Sequence, residues 1–160
     1  MNMRRSIFLI AVIIFFAAPN LKAQEGMNTS SSYTTAVGLK FYPGALTVKH
    51  FVNDEVAIEG IGYFFDYGFR LTGLYEFHHD ISDVEGLKWY VGPGVHIGFY
   101  NTEYYGSTSI GIDGVLGLDY KFQGAPIEAS VDWQPSFEFG NNYNNGFLAG
   151  TGGVGIRYAF

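Results

Sequence analysis

The sequence predicts an all-β chain closed into an eight-stranded antiparallel, up-and-down transmembrane β-barrel. Three observations carry this. A period-two alternation of apolar and polar residues recurs eight times past Ser32, the apolar parity is built from large aromatic and aliphatic side chains, and in the fifth, sixth and eighth segments the opposite parity is mostly glycine, alanine and single charges. Composition agrees: 22 glycines, 15 phenylalanines and 12 tyrosines among 160 residues favour strands and turns, because glycine weakens helix interiors and aromatics suit pleated surfaces.

The first element reads as an address. Met1 to Ala23 opens on Arg4 and Arg5, runs through an unbroken apolar stretch from Ile7 to Ala18 and ends on Pro19, Asn20, Leu21, Lys22 and Ala23. This is the pattern of a secretory signal peptide cleaved after Ala23, since the stretch falls short of the roughly 20 apolar residues a spanning helix needs. Cleavage leaves residues 24–160 as one domain and removes three of the nine cations but none of the fifteen acids, shifting the formal charge from −6 to −9. The chain has no cysteine, which excludes a disulfide scaffold and a cysteine-ligated zinc or iron–sulfur centre. No Lys/Arg cluster follows Lys22, so a nucleic-acid partner is not expected.

The first three segments alternate weakly: about Thr34 to Tyr42, Ala45 to Asn53 and Glu55 to Phe65, with Val37, Leu39, Phe41, Leu46, Val48, Val56, Ile58 and Phe64 on the apolar parity. The fourth, Tyr67 to His78, sets Phe69, Leu71, Tyr75 and Phe77 against Arg70, Thr72, Leu74, Glu76 and His78. The fifth, Leu87 to Tyr100, sets Trp89, Val91, Val95, Ile97 and Phe99 against Lys88, Tyr90, Gly92, Gly94, His96 and Gly98. The sixth, 110–122, opposes Ile110, Ile112, Leu116, Leu118 and Tyr120 to Gly111, Asp113, Val115, Gly117, Asp119 and Lys121. The seventh, Pro126 to Phe139, is the cleanest: Ile127, Val131, Trp133, Phe137 and Phe139 against Glu128, Ser130, Asp132, Gln134, Ser136 and Glu138. The eighth, 148–160, opposes Leu148, Val154, Ile156, Tyr158 and Phe160 to Ala149, Thr151, Gly155 and Arg157. Turn-rich stretches separate them at Pro43-Gly44, Asn53-Asp54, Asp66, His79 to Gly86, Asn101 to Ser107, Gln123 to Ala125 and Gly140 to Gly146. Pro93 and Pro135 fall in mid-strand, where each removes a ladder hydrogen bond, and bulges or kinks are expected there.

An antiparallel sheet of this size removes its edges by closing. It is then either a soluble barrel with an apolar lumen or a membrane barrel with an apolar skin. The interior of eight strands is only just wide enough for side chains, so the large apolar set would overfill it. The apolar parity therefore faces out. Lys40, Lys49, Glu59, Arg70, Glu76, Lys88, His96, Asp113, Asp119, Lys121, Glu128, Asp132, Glu138 and Arg157 then face the lumen, where burial requires them to pair. With both termini toward the periplasm, Tyr75, Phe77, Trp89, Tyr120, Phe122, Tyr158 and Phe160 gather at one rim. Phe41, Phe64, Tyr67, Phe69, Phe99, Phe137 and Phe139 gather at the other, giving two aromatic girdles.

The ending Gly155-Ile156-Arg157-Tyr158-Ala159-Phe160, with an aromatic last residue and Tyr158 and Ile156 at alternate positions before it, resembles the terminal signature of outer-membrane β-barrels. In size and strand number the chain is similar to the OmpX-like and OmpA-transmembrane-domain group, as a pattern over the whole mature chain. The resemblance implies an outer-membrane location, with Ile156, Tyr158 and Phe160 as the signal read by the barrel-assembly machinery. It also implies periplasmic chaperones in transit and lipid or lipopolysaccharide around a monomer. The links at 42–45 and 65–67 are shorter than the outer loops of those families, which argues against an adhesin-like role.

Candidate chemistry is sparse. Gly150-Thr151-Gly152-Gly153-Val154-Gly155 matches a dinucleotide motif but leaves no room for the helix that motif needs. His96, Ser130, Asp132, Glu128 and Arg70 supply the residue types of a nucleophile, base and orienting acid, yet six lumen cations against seven acids fit a charge-paired plug better. His50, His78 and His79 are expected at a solvated rim, without metal-ligand spacing. Ser107 and Ser109 approach the outer rim with no histidine beside them, which leaves a lipid-modifying enzyme as the weaker alternative and a solvated loop as the simpler reading. The turn acids Asp54, Glu55, Asp66, Asp80, Asp83, Glu85 and Glu103 match no calcium loop, and the asparagine-rich tract from Gly140 to Gly146 reads as surface loop. The expectation is a non-enzymatic, cofactor-free and metal-free barrel with a closed, salt-bridged lumen and a structural or envelope role; binding or passage of a small ligand through an incompletely filled lumen is the alternative.

Overall fold

In a computed structural model of the chain the described residues are 33–101, 108–139 and 146–160. The expected leader at 1–23, Glu103, Ser107 and residues 140–145 lie outside them. Among the described residues ten strands form one antiparallel sheet: β1 (Thr35–Phe41), β2 (Ala45–Asn53), β3 (Val56–Phe65), β4 (Gly68–Asp80), β5 (Leu87–Tyr100), β6 (Thr108–Lys121), β7 (Ile127–Trp133), β8 (Ser136–Phe139), β9 (Gly146–Leu148) and β10 (Gly152–Ala159). β7 and β8 are two halves of one stave, β9 and β10 of another, so the wall has the eight staves expected. Sequence neighbours pair all the way round, and β10 pairs with β1 to close the barrel. The first and last described residues of the barrel lie at one end, where Thr34 N donates to Phe160 O. That end is called terminal below and the opposite end distal.

Alternation sets which way each side chain points. Lys49 and Glu59 are 0% exposed while Val131 and Ile156 are 50% exposed, the inverse of a water-soluble protein. An apolar skin of this extent belongs in a bilayer, where a closed barrel satisfies every strand's backbone groups from its neighbours. Ring pairs mark the terminal girdle at Tyr75/Phe77, Tyr120/Phe122 and Tyr158/Phe160, and the distal one at Phe64/Phe69, Phe69/Phe99 and Phe137/Phe139. Tyr67 departs from the expected girdle. It sits in the β3–β4 turn and stacks on Phe65, a residue on the lumen parity.

The irregularity expected at the two prolines is absent at Pro93 and present at Pro135, where the strand is interrupted between Trp133 and Ser136 and the pairing with the eighth stave shifts by one residue. The β4–β5 register is the same on both sides of Pro93, and β7 and β8 share one register on β6 across Pro135. A proline lacks one donor but keeps its acceptor, and Pro135 O still takes the Gly114 N–H at 2.8 Å, which holds the strand in place. Irregularity appears also between Phe51 and Asn53, and the shift opposite Pro135 lies in the eighth stave. There Ser136 pairs with Leu148 and Trp133 with Gly152, so residues 149–151 accommodate one extra position. The shift reverses the faces above it: Phe147, opposite the outward Phe137, takes the outer face expected for Leu148, which pairs with the inward Ser136. Among the described residues β9 pairs with β8 alone, and β1 ends at Phe41, leaving the wall lowest beside the β1–β2 turn.

Candidate functional site

The lumen is filled in three tiers. In the terminal tier Arg157, from β10, uses every guanidinium nitrogen. Nη1 donates to Glu128 Oε1 and Oε2 at 2.8 and 2.9 Å and to Ser130 Oγ at 2.8 Å, Nε to Thr47 Oγ1 at 3.2 Å, and Nη2 to Glu59. Thr47 in turn donates to Glu59. Lys49, one step along β2, reaches Glu76 at 3.1 Å, Asp119 at 3.2 Å and Glu59 at 3.7 Å, with its ammonium 4.2 Å from the Tyr90 ring centroid. Below it, Tyr33 Oη donates to Asp119 Oδ2 at 3.3 Å, and burial together with that carboxylate pushes the phenol pKa up.

The middle tier crosses the barrel. Lys40 Nζ pairs with Asp132 Oδ2 at 2.6 Å, Tyr90 Oη donates to the same oxygen at 2.9 Å, and Gln134 Nε2 donates to Asp132 Oδ1 at 3.0 Å. Tyr63 Oη then donates to Gln134 Oε1 at 2.6 Å. Around these polar contacts Ala45, Ile61, Tyr63, Leu74, Tyr90 and Val115 form the apolar core. The Tyr90 ring lies over Gly117, where a Cβ would come within 2.4 Å of it, so the glycine is what makes room for the tyrosine.

The distal tier is looser. Arg70 donates to Asp113, and its Nη2 and Asp113 Oδ2 lie 3.0 and 2.8 Å from His96 Nδ1. Glu138 Oε1 approaches His96 Nε2 at 3.5 Å and Arg70 Nη1 at 3.8 Å, outside ordinary N–H···O distances.

Twelve of the fourteen charged or histidine positions predicted for the lumen occupy these tiers: Lys40, Lys49, Glu59, Arg70, Glu76, His96, Asp113, Asp119, Glu128, Asp132, Glu138 and Arg157. Lys88 and Lys121 do not join the buried network. Lys88 sits at the terminal rim against Asp80, at 3.4 Å, and Lys121 donates to the backbone oxygens of Phe122 and Ala125. Their parity is inward but they stand one turn from the water. His78 departs in the other direction: it is buried, 3.0 Å from Glu76 Oε2, and stacked on Tyr90 with ring centroids 4.9 Å apart. β4 carries it into the barrel because the strand runs on to Asp80, past the expected end at His78. Ser109 is likewise buried on the lumen face of β6, not solvated in a loop. Gln134 takes the inward face expected from the seventh segment, while Tyr63 and Ile61, which share the parity of Glu59, are lumen residues the sequence reading does not name. Ile156, Tyr158 and Phe160 all lie on the outer face.

At the terminal mouth a cavity of about 40 Å³, bordered by Tyr33, Phe51, Asp54, Lys88, Asp119 and Lys121, has room for a few waters but not for a solute. Among the described residues no three His, Asp or Glu side chains are grouped as a metal site would require. The chain is similar to the crystal structure of the N-terminal β-barrel domain of Pseudomonas aeruginosa OprF, at 19% sequence identity and a TM-score of 0.55, over 79% of this chain and 94% of that one. At that identity the likeness establishes the fold. No family model matches the chain, and no curated protein matches it.

Proposed function

We propose that the chain is a monomeric outer-membrane barrel, sealed by its own ion pairs, that serves the structure of the envelope and neither catalyses a reaction nor passes solutes in bulk. The terminal tier carries this reading. Arg157, Lys49 and their four acids are shut off from solvent, and breaking such a set leaves an uncompensated buried charge. The apolar skin and the likeness in fold to the OprF barrel domain support a membrane setting; lipid or lipopolysaccharide would surround it there. The terminal end would face the periplasm, and export would follow from a cleaved leader at 1–23. Chaperones and the barrel-assembly machinery would act in biogenesis, the latter through Ile156, Tyr158 and Phe160. No cofactor, metal or nucleic acid enters this reading.

Planar-bilayer recording of the purified chain tests it. The expected trace has no openings above noise, and stable openings well above noise would remove the sealed-barrel reading in favour of passage through the lumen. A lipid-processing activity that disappears in Ser109→Ala would instead establish an enzyme.

A further inference from the structure

We infer that Tyr33 is a hinged stopper in the terminal mouth of the lumen, shutting the Lys49–Asp119 pair off from water when seated and admitting water when it swings aside on Thr34. The inference deepens the sealed-barrel reading and rests on it. Alternation would send Tyr33 outward with Val37 and Leu39. The chain bends at Thr34 instead and turns the side chain inward, where its ring meets that of Phe51 edge-on, with centroids 5.1 Å apart and planes at 84°. Phe51 shares the lumen parity of Lys49. From there the Tyr33 hydroxyl reaches Asp119 on β6, three staves away from β1, at 3.3 Å. A side chain that leaves its own face to cross the opening covers what lies beneath it. That is the Lys49 ammonium, which donates to the same Asp119 Oδ2 at 3.2 Å.

Thr34 supplies the hinge. Its N–H donates to Phe160 O at 3.1 Å and its oxygen accepts the Phe51 N–H at 2.8 Å, so the backbone is clamped to both neighbouring strands directly after Tyr33. Tyr33 itself lies ahead of the clamp and outside β1. Among the described residues its side chain is held by the Phe51 ring and by one hydroxyl contact, and 3.3 Å is longer than the usual O–H···O bond of about 2.5–3.0 Å. A residue so seated, outside the ladder and weakly bonded, opens at far lower cost than the strands around it. The position of water marks what it guards. The mouth cavity of about 40 Å³ ends on Tyr33, Phe51 and Asp119, while Lys49 does not border it and is fully buried. When the phenol leaves, Asp119 Oδ2 can accept from water in its place, and the space of the ring joins the cavity to the ammonium. Phe51 stays behind, because β2 fixes it in the wall.

Exchange of the Lys49 ammonium protons with water, read by nitrogen-15 NMR on the full chain in detergent micelles, tests this. In the unaltered chain the Lys49 signal is expected to persist at neutral pH, where those of Lys88 and Lys121 at the rim are lost to exchange. Exchange at Lys49 should quicken roughly tenfold in Tyr33→Ala and roughly threefold in Tyr33→Phe, which keeps the ring and loses only the hydroxyl contact. It should be unchanged in Phe122→Ala, on the outer face of the same rim. Arg157 Nε, deeper in the terminal tier, should stay slow in every variant. Heat-dependent gel migration reports folding, and Tyr33→Phe, nearly isosteric, decides the matter if Tyr33→Ala fails to fold. Protection of Lys49 that survives the Tyr33 substitutions, or equal quickening at Arg157, overturns the stopper and leaves the sealed barrel standing. Rapid exchange of Lys49 in the unaltered chain also overturns the stopper and, if Arg157 exchanges rapidly there too, the sealed barrel with it.

Discussion

In the terminal half of the lumen a single guanidinium, Arg157, commits every nitrogen to neighbours on three other strands and is closed off from water, whereas in the distal half Arg70 holds one acid firmly and another at 3.8 Å. Both halves are built from the same residue types on the same parity. They differ in how many strands one guanidinium ties together: Arg157 bonds to acceptors on β2, β3 and β7, while Arg70 donates to Thr72 on its own strand and to Asp113 on β6. Both halves keep buried polar atoms without a hydrogen-bond partner, Glu59 Oε2 and Glu76 Oε1 in one and His96 Nε2 and Ser136 Oγ in the other. The number of strands clamped, not completeness, separates the halves.

The largest effect belongs to the terminal tier. Arg157→Met should lower stability by about 3–5 kcal/mol, because Glu59 and Glu128 would be left buried against a deficit of positive charge; the urea midpoint of the reconstituted barrel reads it directly. Arg70→Leu should cost less, about 1–3 kcal/mol, since His96 still faces Asp113. Equal losses for the two arginines in the same titration would dissolve the contrast between the halves. Lys121→Ala at the terminal rim should change the midpoint by less than about 1 kcal/mol, because its partners are backbone oxygens within reach of water. A loss as large as that of Arg157→Met would instead extend the sealed tier to the rim.

Period two makes direction legible and depth illegible. Alternation was enough to place Lys49, Glu59 and Arg157 inside and Val131 and Ile156 outside, because each successive residue must change faces. It carries no information on height along the axis, which depends on where neighbouring strands begin and on their stagger. Alternation alone therefore groups Lys88 and Lys121 with the deep charges and puts His78 at a rim that lies two residues farther on. The eighth stave hid its irregularity for a different cause. Phe147 and Leu148 are both apolar, so an inserted residue at 149–151 reverses the faces without disturbing the hydropathy pattern. Register holds across Pro93, where the other hydrogen bonds of β4 and β5 fix the alignment, whereas at Pro135 it holds on the β6 side and shifts by one on the side of the eighth stave. Tyr63 is not legible in the sequence because the earliest segments alternate poorly, which leaves its face undecided.

β1 spans 7 residues where β5 and β6 each span 14. At about 3.3 Å per residue and a tilt near 40°, the short strand climbs roughly 18 Å, less than the apolar band of about 25 Å typical of such barrels. Acyl chains beside the first hairpin must shorten or splay to meet it, and Tyr42, 87% exposed at its tip, stands where their headgroups would sink. In a bilayer so low a flank would draw the neighbouring leaflet inward on that side alone, and the asymmetry would favour one lean over the others.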